Sequence, residues 1–381
     1  MEDGSLNESK RFDRKHFVGA TAAVAAAPAV TSLARAGKAL AGAPAPELEE
    51  ATVAALQAAM TTGGLTALAL VQKYQARINV LDADVRSVIE LNPEAEAIAR
   101  QLDAERRAGH VRGPLHGIPI LLKANIDTGD RMQTTAGSLA LVGKPPAQDS
   151  TVAANLRRAG AVILGKTNLS EWANFRGFNS TSGWSGVGGL THNPYVLDRN
   201  ACGSSSGSGA AASASFAAAS LGTETDGSIV CPANENGVIG IKPTVGLTSR
   251  AGVVPISHSQ DTVGPHARTV ADAAAVLTAI VSRTTDPRDP ATSTGRNLIP
   301  PDYTAFVDTH GLEGARIGIP RAGVFDTIPS IVSDVFDAAV AATGGRRHDR
   351  RSRGHPDDRR DQFGLRRDHR LWLWLRRRLR L

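Results

Sequence analysis

The sequence predicts an α/β fold in which helices cover both faces of a mixed β-sheet. Short apolar runs typical of strands alternate with segments of helical periodicity, which is the pattern of layered α/β domains. The composition, 41% hydrophobic and 21% charged, is ordinary for a globular protein and excludes a disordered, collagen-like or disulfide-framework chain. The sequence shows no internal repeat, and its 381 residues suffice for one large domain or two smaller ones.

Helices and strands can be assigned in order along residues 47–342. Helical spacing of apolar residues is clearest in the second helix, where one face carries Leu70, Val71, Tyr74, Ile78 and Leu81. The other predicted helices are Glu47–Met60, Glu94–Gly109, Val152–Ala159, Ala210–Ser220, Val270–Ile280 and Val332–Ala342. The predicted strands are Ser87–Leu91, which Asn92-Pro93 ends, Gly117–Lys123 and Ala161–Leu164. A long stretch rich in Gly, Ser and Asn occupies residues 168–209.

The first 36 residues have the pattern of an export signal. A charged start precedes Phe17–Ala34, which is uncharged, rich in alanine and too weakly apolar to predict a membrane span. Ala34-Arg35-Ala36 fits a small-x-small cleavage site, and residues 14–18 resemble a twin-arginine pattern with Lys in the second position. We therefore expect a signal at 1–36, a linker at 37–46 and a periplasmic or extracellular protein. An amphipathic first helix in a cytoplasmic protein is the alternative.

The composition changes abruptly after Ala342. From Arg346 to the end there are 14 Arg and 5 Asp but no Lys or Glu, so the rest of the chain is mildly acidic within a total charge of +6. Because the net positive charge belongs to this last segment, it does not predict a nucleic-acid-binding surface on the body of the protein. Alanine and valine disappear in the same segment, as happens when a GC-rich gene is read in another frame. We expect 343–381 to be a frameshifted, non-native tail that leaves the domain incomplete; a basic interaction tail is the alternative.

Two cysteines, Cys202 and Cys231, are present in the chain. They have neither the spacing of metal ligands nor a CxxC arrangement. They form either one disulfide or two buried thiols, and the sequence favours the buried thiols.

Three features of the body carry the chemistry. Lys123 ends an apolar strand, and Ser204 lies in the run Cys-Gly-Ser-Ser-Ser-Gly-Ser-Gly that begins at Cys202. Ser228 follows 24 residues later in a turn flanked by glycine. Taken singly, a lysine at a strand end usually extends its ammonium to solvent, and a Gly/Ser run is usually a linker. Here the run leads directly into an alanine-rich helix, which indicates a site built from closely packed backbone.

Together these motifs resemble those of the amidase-signature hydrolases over roughly residues 50–340. The matching segments are Gly-Pro-Leu-His-Gly-Ile-Pro (113–119), Gly-Lys-Thr-Asn-Leu-Ser-Glu-Trp-Ala-Asn-Phe-Arg-Gly (165–177), Cys-Gly-Ser-Ser-Ser-Gly-Ser (202–208) and Gly-Thr-Glu-Thr-Asp-Gly-Ser-Ile-Val-Cys-Pro-Ala (222–233). They are most similar to the peptide-amidase branch. The resemblance implies the amidase-signature fold, with its C-terminal part missing from this chain.

The resemblance also implies a Ser–cis-Ser–Lys triad. In it Ser228 is the nucleophile, Ser204 is the bridging serine on a cis peptide bond, and Lys123 is the base. The implied oxyanion hole consists of the backbone N–H groups of Thr225, Asp226, Gly227 and Ser228. No metal or organic cofactor is expected.

This scheme is physically coherent. A serine hydroxyl needs a neighbour that takes its proton, and lysine can do so only as the neutral amine. The pKa of Lys123 must therefore fall from ~10.4 toward ~7. Burial at the end of its strand, away from carboxylates, is expected to favour the neutral amine. Glycines at 203 and 207 allow the backbone around Ser204 to pack closely.

Three positions depart from the family pattern. Ala124 stands where Asp usually follows the base lysine, Asp226 replaces a glycine of the turn, and Val230 stands where Arg is common. The last two are similar to the peptide-amidase branch, whereas Ala124 is not.

A second arrangement of nucleophile and base is open from the sequence. Residues 203–207 also satisfy G-x-S-x-G, which would make Ser205 the nucleophile of an α/β-hydrolase with a histidine partner. That motif needs an apolar strand immediately before it, and Thr191–Ala201 instead has the composition of a loop. The histidines at 116, 192, 258 and 266 are accordingly interpreted as structural or surface residues.

The expected activity is hydrolysis of a carboxamide, most simply the C-terminal amide of a peptide, to acid and ammonia. The expected partner is a small-molecule or peptide amide. Within the family, the alternative is the glutamine-hydrolysing subunit of a tRNA amidotransferase, and a third possibility is a truncated, inactive remnant. The sequence leaves the oligomeric state open.

Overall fold

The computed structural model describes residues 47–315, 317, 319 and 328–342. The predicted export signal, linker and non-native tail lie outside these residues. The chain divides into two compact units, Met1–Ala305 and Phe306–Leu381. In the described part of the second unit, the regular element is one α-helix, Ser330–Ala342, close to the predicted Val332–Ala342.

A six-stranded mixed sheet forms the centre of the first unit, in the spatial order β1-β3-β2-β6-β8-β7. The strands are β1 (Val88–Leu91), β2 (Pro119–Lys123), β3 (Val162–Thr167), β4 (Trp184–Ser185), β5 (Gly189–Leu190), β6 (Ala219–Glu224), β7 (Ile239–Gly240) and β8 (Thr262–Ala267). The second sheet, β4 with β5, is an antiparallel pair.

The centre of the sheet is parallel and its edges are antiparallel. β2 pairs in parallel with β3 on one side and β6 on the other, with Lys123 opposite Thr167 and Leu122 opposite Leu221. β1, β8 and β7 add antiparallel strands at the two edges. Because parallel strands end at the same edge of a sheet, the carboxyl ends of β2, β3 and β6 lie side by side. Lys123 and Glu224 are therefore brought to one edge.

Both faces of the central sheet are covered, as the sequence predicts. Every residue of β2, β3, β6 and β8 is buried. Successive side chains of a strand point to opposite faces, so burial of all of them requires packing on both sides.

Eight helices are described. They are α1 (Val53–Thr61), α2 (Ala67–Val85), α3 (Ala95–Arg107), α4 (Thr151–Arg158), α5 (Ser206–Ser213), α6 (Val230–Glu235), α7 (Val270–Ile280) and α8 (Ser330–Ala342). Hydroxyl N-caps start several of them; Thr66 Oγ1, for example, accepts from the Ala69 N–H at 3.1 Å. The five apolar residues predicted on one face of the second helix are all buried in α2. No described helix combines the length and apolarity that crossing a membrane would require.

Two expectations about the elements were wrong, and one strand was not predicted. The first helix begins at Val53 rather than Glu47, because Thr52 caps it by accepting from the Ala55 N–H. The predicted helix Ala210–Ser220 is instead α5, which ends at Ser213, followed by strand β6 from Ala219. Small residues suit a closely packed helix or strand equally, so the alanine run did not distinguish them. Strand β8 was not predicted, because Gly264 and Pro265 weaken its strand pattern.

Close packing around α5 gives a first testable prediction. A Cβ added at Gly207 would lie 2.5 Å from the backbone nitrogen of Asn168 and 2.6 Å from its carbonyl oxygen. We expect Gly207→Ala to lower the free energy of unfolding by about 1–3 kcal/mol, since backbone must move to admit the methyl group. Urea unfolding measures this change. Gly177→Ala, where no atom lies within 4 Å of the added Cβ, is the matched control; equal stability of both variants would contradict the prediction.

Candidate functional site

Lys123 occupies the end of β2 and is completely buried. Its Nζ lies 2.7 Å from Ser204 Oγ and 3.0 Å from Ser205 Oγ. On the other side it lies 2.8 Å from Thr223 Oγ1 and 3.3 Å from the Thr223 carbonyl oxygen. The amine is therefore enclosed by hydroxyl and carbonyl groups contributed by β6 and by the segment that precedes α5.

Burial lowers the pKa of Lys123 to about 7, because the charged ammonium loses its hydration. The expectation that carboxylates lie far from this lysine was wrong: Glu224 and Asp261 both act to raise its pKa. Their effect is smaller than that of burial. The amine thus exchanges its proton near neutral pH, as a general base must.

Ser204 is buried and follows a cis peptide bond, Gly203–Ser204. The Ser204 carbonyl accepts from the Ser170 N–H at 3.0 Å. A Cβ at Gly203 would meet the hydroxyl oxygens of Ser170 and Ser182, so the site favours glycine there. The structure therefore brings Ser204 against Lys123, and the glycine that the sequence marked beside it is required by close packing.

Ser228 lies in the turn between β6 and α6, with its side chain largely buried. Its carbonyl accepts from the Ser205 N–H at 3.2 Å, which fixes the turn against the residue that follows Ser204. Within the described residues no hydrogen bond engages the Ser228 hydroxyl. The turn and the Ser204 segment are thus adjacent, and the Ser228 hydroxyl is left available.

The carboxylate of Glu224 holds this turn in place. Its Oε1 accepts from the Gly227 N–H at 2.9 Å, and its Oε2 accepts from the N–H groups of Ile229 at 2.6 Å and Val230 at 3.0 Å. One of the four expected oxyanion donors, the Gly227 N–H, is therefore engaged by Glu224. The N–H groups of Thr225, Asp226 and Ser228 have no acceptor in the described part of the chain.

Cys202 and Cys231 form a disulfide, so the sequence interpretation as two buried thiols was wrong. Both residues are partly exposed. Cys202 lies two residues before Ser204, and Cys231 lies three residues after Ser228. The bond therefore joins the two serine segments covalently, a relation that the 29-residue spacing could not show.

The alternative based on Ser205 has no structural support. Thr191–Ala201 forms no strand beyond a single bridge between His192 and Asn200. The Ser205 hydroxyl is buried and donates to the Thr223 carbonyl at 3.0 Å. Ser205 is thus part of the enclosure around Lys123.

Three of the four histidines noted in the sequence have structural hydrogen bonds. His116 Nε2 lies 2.9 Å from the Leu102 carbonyl oxygen, and His192 Nδ1 lies 2.7 Å from that of Leu197. His266 Nε2 lies 3.0 Å from the carbonyl oxygen of Ile229, and burial lowers its pKa to about 4. His266 is therefore neutral and supports the turn.

Sequence reasoning missed Thr223, Glu224 and Asp261 as site residues. Asp261 Oδ1 accepts from Thr225 Oγ1 at 2.5 Å, which ties the turn to the segment before β8. Glu224 could have been found, since a carboxylate immediately before a glycine turn can accept its free N–H groups. Asp261 lies far from Ser228 in the sequence, and no local pattern marked it.

The departure at Ala124 leaves Lys123 supported by other groups. Ala124 is buried, and its N–H donates to the Thr167 carbonyl at 3.1 Å. The polar contacts of Lys123 come from Ser204, Ser205 and Thr223. No cluster suited to a metal ion occurs among the residues that the structure describes.

Comparison with known proteins places these residues in context. Residues 69–346 match the Amidase family, and this range includes Lys123, Ser204 and Ser228. The protein named "Putative amidase" of Arthroderma benhamiae is 49% identical over 288 residues, which cover 75% of this chain and 48% of that protein. A glutamyl-tRNA(Gln) amidotransferase subunit of Chloroflexus aurantiacus is 43% identical over 276 residues, covering 72% of this chain and 54% of the relative. The chain spans about half the length of these curated relatives.

Among solved structures, the native peptide amidase from Stenotrophomonas maltophilia is similar in fold and sequence. Its TM-score is 0.71 and its identity is 55%, over 77% of this chain and 60% of that one. The two chains are therefore similar in sequence as well as in the arrangement of their helices and strands.

The shifted pKa of Lys123 predicts a specific pH dependence of stability. The folded-state pKa of about 7 lies below the ordinary value of 10.5. Below pH 7 the amine is charged in both the folded and the unfolded chain, so the folded state bears the whole free-energy cost of burying the charge. Between these values the unfolded chain binds one proton more than the folded chain. Relative to Lys123→Met, wild type should therefore gain about 1.4 kcal/mol of stability per pH unit above pH 7.

Urea unfolding at several pH values between about 6 and 9 measures this difference. Lys73→Met, at an exposed position of α2, is the control and should run parallel to wild type. A Lys123→Met curve that is also parallel would show that Lys123 titrates at its ordinary pKa.

The disulfide predicts a loss of stability on its removal. Closing a loop of 29 residues restricts the unfolded chain, and its loss should cost about 3–4 kcal/mol in the chain-entropy treatment. We expect the double variant Cys202→Ala/Cys231→Ala to unfold at lower urea concentration than wild type. Reduced wild type should approach the variant, and oxidised wild type that unfolds at the same midpoint would refute the pairing.

Proposed function

Because the chain belongs to the amidase family, we propose that its function is the hydrolysis of a carboxamide to a carboxylic acid and ammonia. Ser228 is the nucleophile, Ser204 relays protons and Lys123 is the base. The observation that carries the proposal is the buried Lys123 amine, which has a pKa of about 7 and its Nζ 2.7 Å from Ser204 Oγ.

Acylation begins when the Ser228 oxygen attacks the amide carbon. Ser204 takes the proton of Ser228 while its own proton passes to Lys123, so no free alkoxide has to form before the attack. The carbonyl oxygen becomes an oxyanion, and the unengaged N–H groups of Thr225, Asp226 and Ser228 are the candidate donors that stabilise it. The tetrahedral intermediate then breaks its C–N bond.

The leaving group departs by reversal of the same relay. Lys123 returns a proton through Ser204 to the amide nitrogen, which leaves as ammonia and gives the acyl ester of Ser228. A water molecule attacks this ester, its proton passes along the relay, and the acid is released with Ser228 regenerated. The same chain of hydroxyl groups and amine therefore serves both halves of the reaction.

The substrate class we propose is the C-terminal amide of a peptide. A structural relative is the peptide amidase PAM, solved in complex with the competitive inhibitor chymostatin at 55% identity to this chain. Asp226 in the turn and Val230 at the start of α6, which depart from the broader family pattern, are similar to that branch. Export, which the N-terminal pattern predicts, also suits an extracellular or periplasmic peptide.

A second candidate is glutamine hydrolysis in a tRNA amidotransferase. It is favoured by the 43% identity to the amidotransferase relative of Chloroflexus aurantiacus. Ammonia release from a panel of peptide amides, free glutamine and simple aliphatic amides distinguishes the two. We expect turnover of peptide amides to exceed that of glutamine, and the reverse order would support the second candidate.

The relay predicts the pH dependence of activity. Lys123 accepts a proton only when neutral, so kcat/KM should rise with pH and level off above an apparent pKa of about 7. Lys123→Ala, Ser204→Ala and Ser228→Ala should each lower kcat/KM by at least about 100-fold. A fluorophosphonate probe should label Ser228.

His192→Ala is the matched control, because this half-buried histidine lies outside the relay. It should retain hydrolysis. Loss of activity in the histidine variant together with activity of Lys123→Ala, or a covalent adduct on Ser205, would contradict the proposed mechanism.

A further inference from the structure

A small cavity of about 100 Å³ lies beside the relay and is not used by the mechanism above. Its walls are mainly apolar and aromatic, and they also include one carboxamide side chain. The lining residues are Asn125, Ala136, Trp172, Ala173, Phe175, Val254, Pro255 and Ile256.

One wall of the cavity, at Asn125, is hydrogen-bonded to Thr223, which also contacts Lys123. Asn125 Nδ2 donates to Thr223 Oγ1 at 3.0 Å, the same oxygen that lies 2.8 Å from Lys123 Nζ. The backbone carbonyl of Asn125 also accepts from the Val254 N–H at 2.9 Å. The cavity is therefore two hydrogen bonds away from the base.

A second wall, at Ile256, is connected by hydrogen bonds through Asp261 to the turn that carries Ser228. Asp261 Oδ2 accepts from the Ile256 N–H at 2.8 Å, while its Oδ1 accepts from Thr225 Oγ1. One carboxylate thus links the apolar wall at Ile256 to the expected oxyanion donors.

A third wall, at Ala173, is connected by hydrogen bonds through Ser170 to Ser204, the proposed bridging serine. The Ala173 N–H donates to the Ser170 carbonyl at 2.8 Å, and the Ser170 N–H donates to the Ser204 carbonyl at 3.0 Å. Trp172 and Ala173, which both line the cavity, hold left-handed backbone conformations with φ of 51° and 53°. All three expected catalytic segments therefore position walls of the same cavity.

Asn125, one of the residues that line the cavity, carries an unsatisfied acceptor. Asn125 is 3% exposed, and its Oδ1 has no hydrogen-bond donor in the described part of the chain. A buried carbonyl oxygen without a donor is unfavourable, so such a group on a residue that lines a cavity is suited to accept from a ligand. Because the oxygen can only accept, the missing ligand group is an N–H or O–H.

We propose that this cavity binds the acyl side of the substrate and that Asn125 Oδ1 accepts the N–H of its terminal amidated residue. The inference rests on the proposed function and adds the substrate class. The preferred substrates are N-acylated amides of residues with a compact aliphatic side chain, leucinamide above all.

The size of the cavity sets the side-chain preference. About 100 Å³ equals the liquid volume of roughly three water molecules, whereas a cavity of ~150 Å³ is known to admit a benzene ring. We therefore expect a branched aliphatic chain to bind better in this space than a phenyl or indole ring. Apolar walls favour an aliphatic group over the polar side chain of glutamine.

The test compares N-acetyl-L-leucinamide with its oxygen analogue, 2-acetoxy-4-methylpentanamide, which lacks the N–H. We expect wild type to prefer the N–H substrate by about tenfold in kcat/KM, as one buried hydrogen bond supports. In Asn125→Leu this ratio should fall to about one. The ratio corrects for any general effect on Thr223 or Lys123, because that effect applies to both substrates.

A second variant tests the wall. Ile256→Ala enlarges the cavity and should raise the kcat/KM of N-acetyl-L-phenylalaninamide relative to the leucinamide by about tenfold. Val80→Ala shortens an aliphatic side chain at an exposed site on α2 and should leave both ratios unchanged. An unchanged N–H preference in Asn125→Leu, or equal use of both analogues by wild type, would overturn the proposal.

A binding measurement distinguishes a failure of this inference from a failure of the proposed function. Calorimetry with Ser228→Ala should show that N-acetyl-L-leucinamide binds about tenfold more tightly than the oxygen analogue. If wild type hydrolyses no amide but this difference is present, the proposed function fails and the pocket stands. If amides are hydrolysed but both compounds bind equally or neither binds, the pocket assignment fails.

Discussion

The desolvation of one amine is the constraint on which the site depends. An ordinary lysine is protonated at neutral pH, and Lys123 approaches neutrality because the end of β2 is buried on every side. Lowering its pKa to about 7 costs on the order of 5 kcal/mol, which the surrounding fold must supply. Hydroxyl groups of Ser204, Ser205 and Thr223 surround the amine without adding a counter-charge. Polar contact is thus retained while the neutral form remains accessible.

Several separate elements hold the segments of the candidate site around this amine. Parallel pairing brings the ends of β2 and β6 to one edge, so Lys123 and Glu224 lie in the same layer. Glu224 engages three N–H groups of the turn, and the disulfide ties that turn to the segment of Ser204. Asp261 then extends the arrangement to the apolar cavity. Rigid support of this kind is what a preorganised oxyanion site requires.

Much of the fold could be predicted because its signals are local. Amphipathic spacing identified α2, and a continuous apolar run identified β2, since both patterns follow from burial of one element. The alanine-rich segment after Ser206 could not be divided correctly, because alanine and glycine fit tight helix and strand packing alike. β8 was missed because its place between β6 and β7, and not its own residues, makes it a strand. Propensity was overridden by tertiary pairing there.

The sequence by itself determined the residue types of the site: a lysine at a strand end, two serines in glycine-rich motifs and the spacing that resembles the amidase-signature hydrolases. A sequence motif consists of residue types in a given order, so these features can be identified without a structure. Only the tertiary structure decided the pairing of Cys202 with Cys231, the engagement of the Gly227 N–H by Glu224, and the cavity with its open acceptor at Asn125. Each of these depends on distances between segments far apart in the chain, which burial and hydrogen bonding fix only once the sheet has formed.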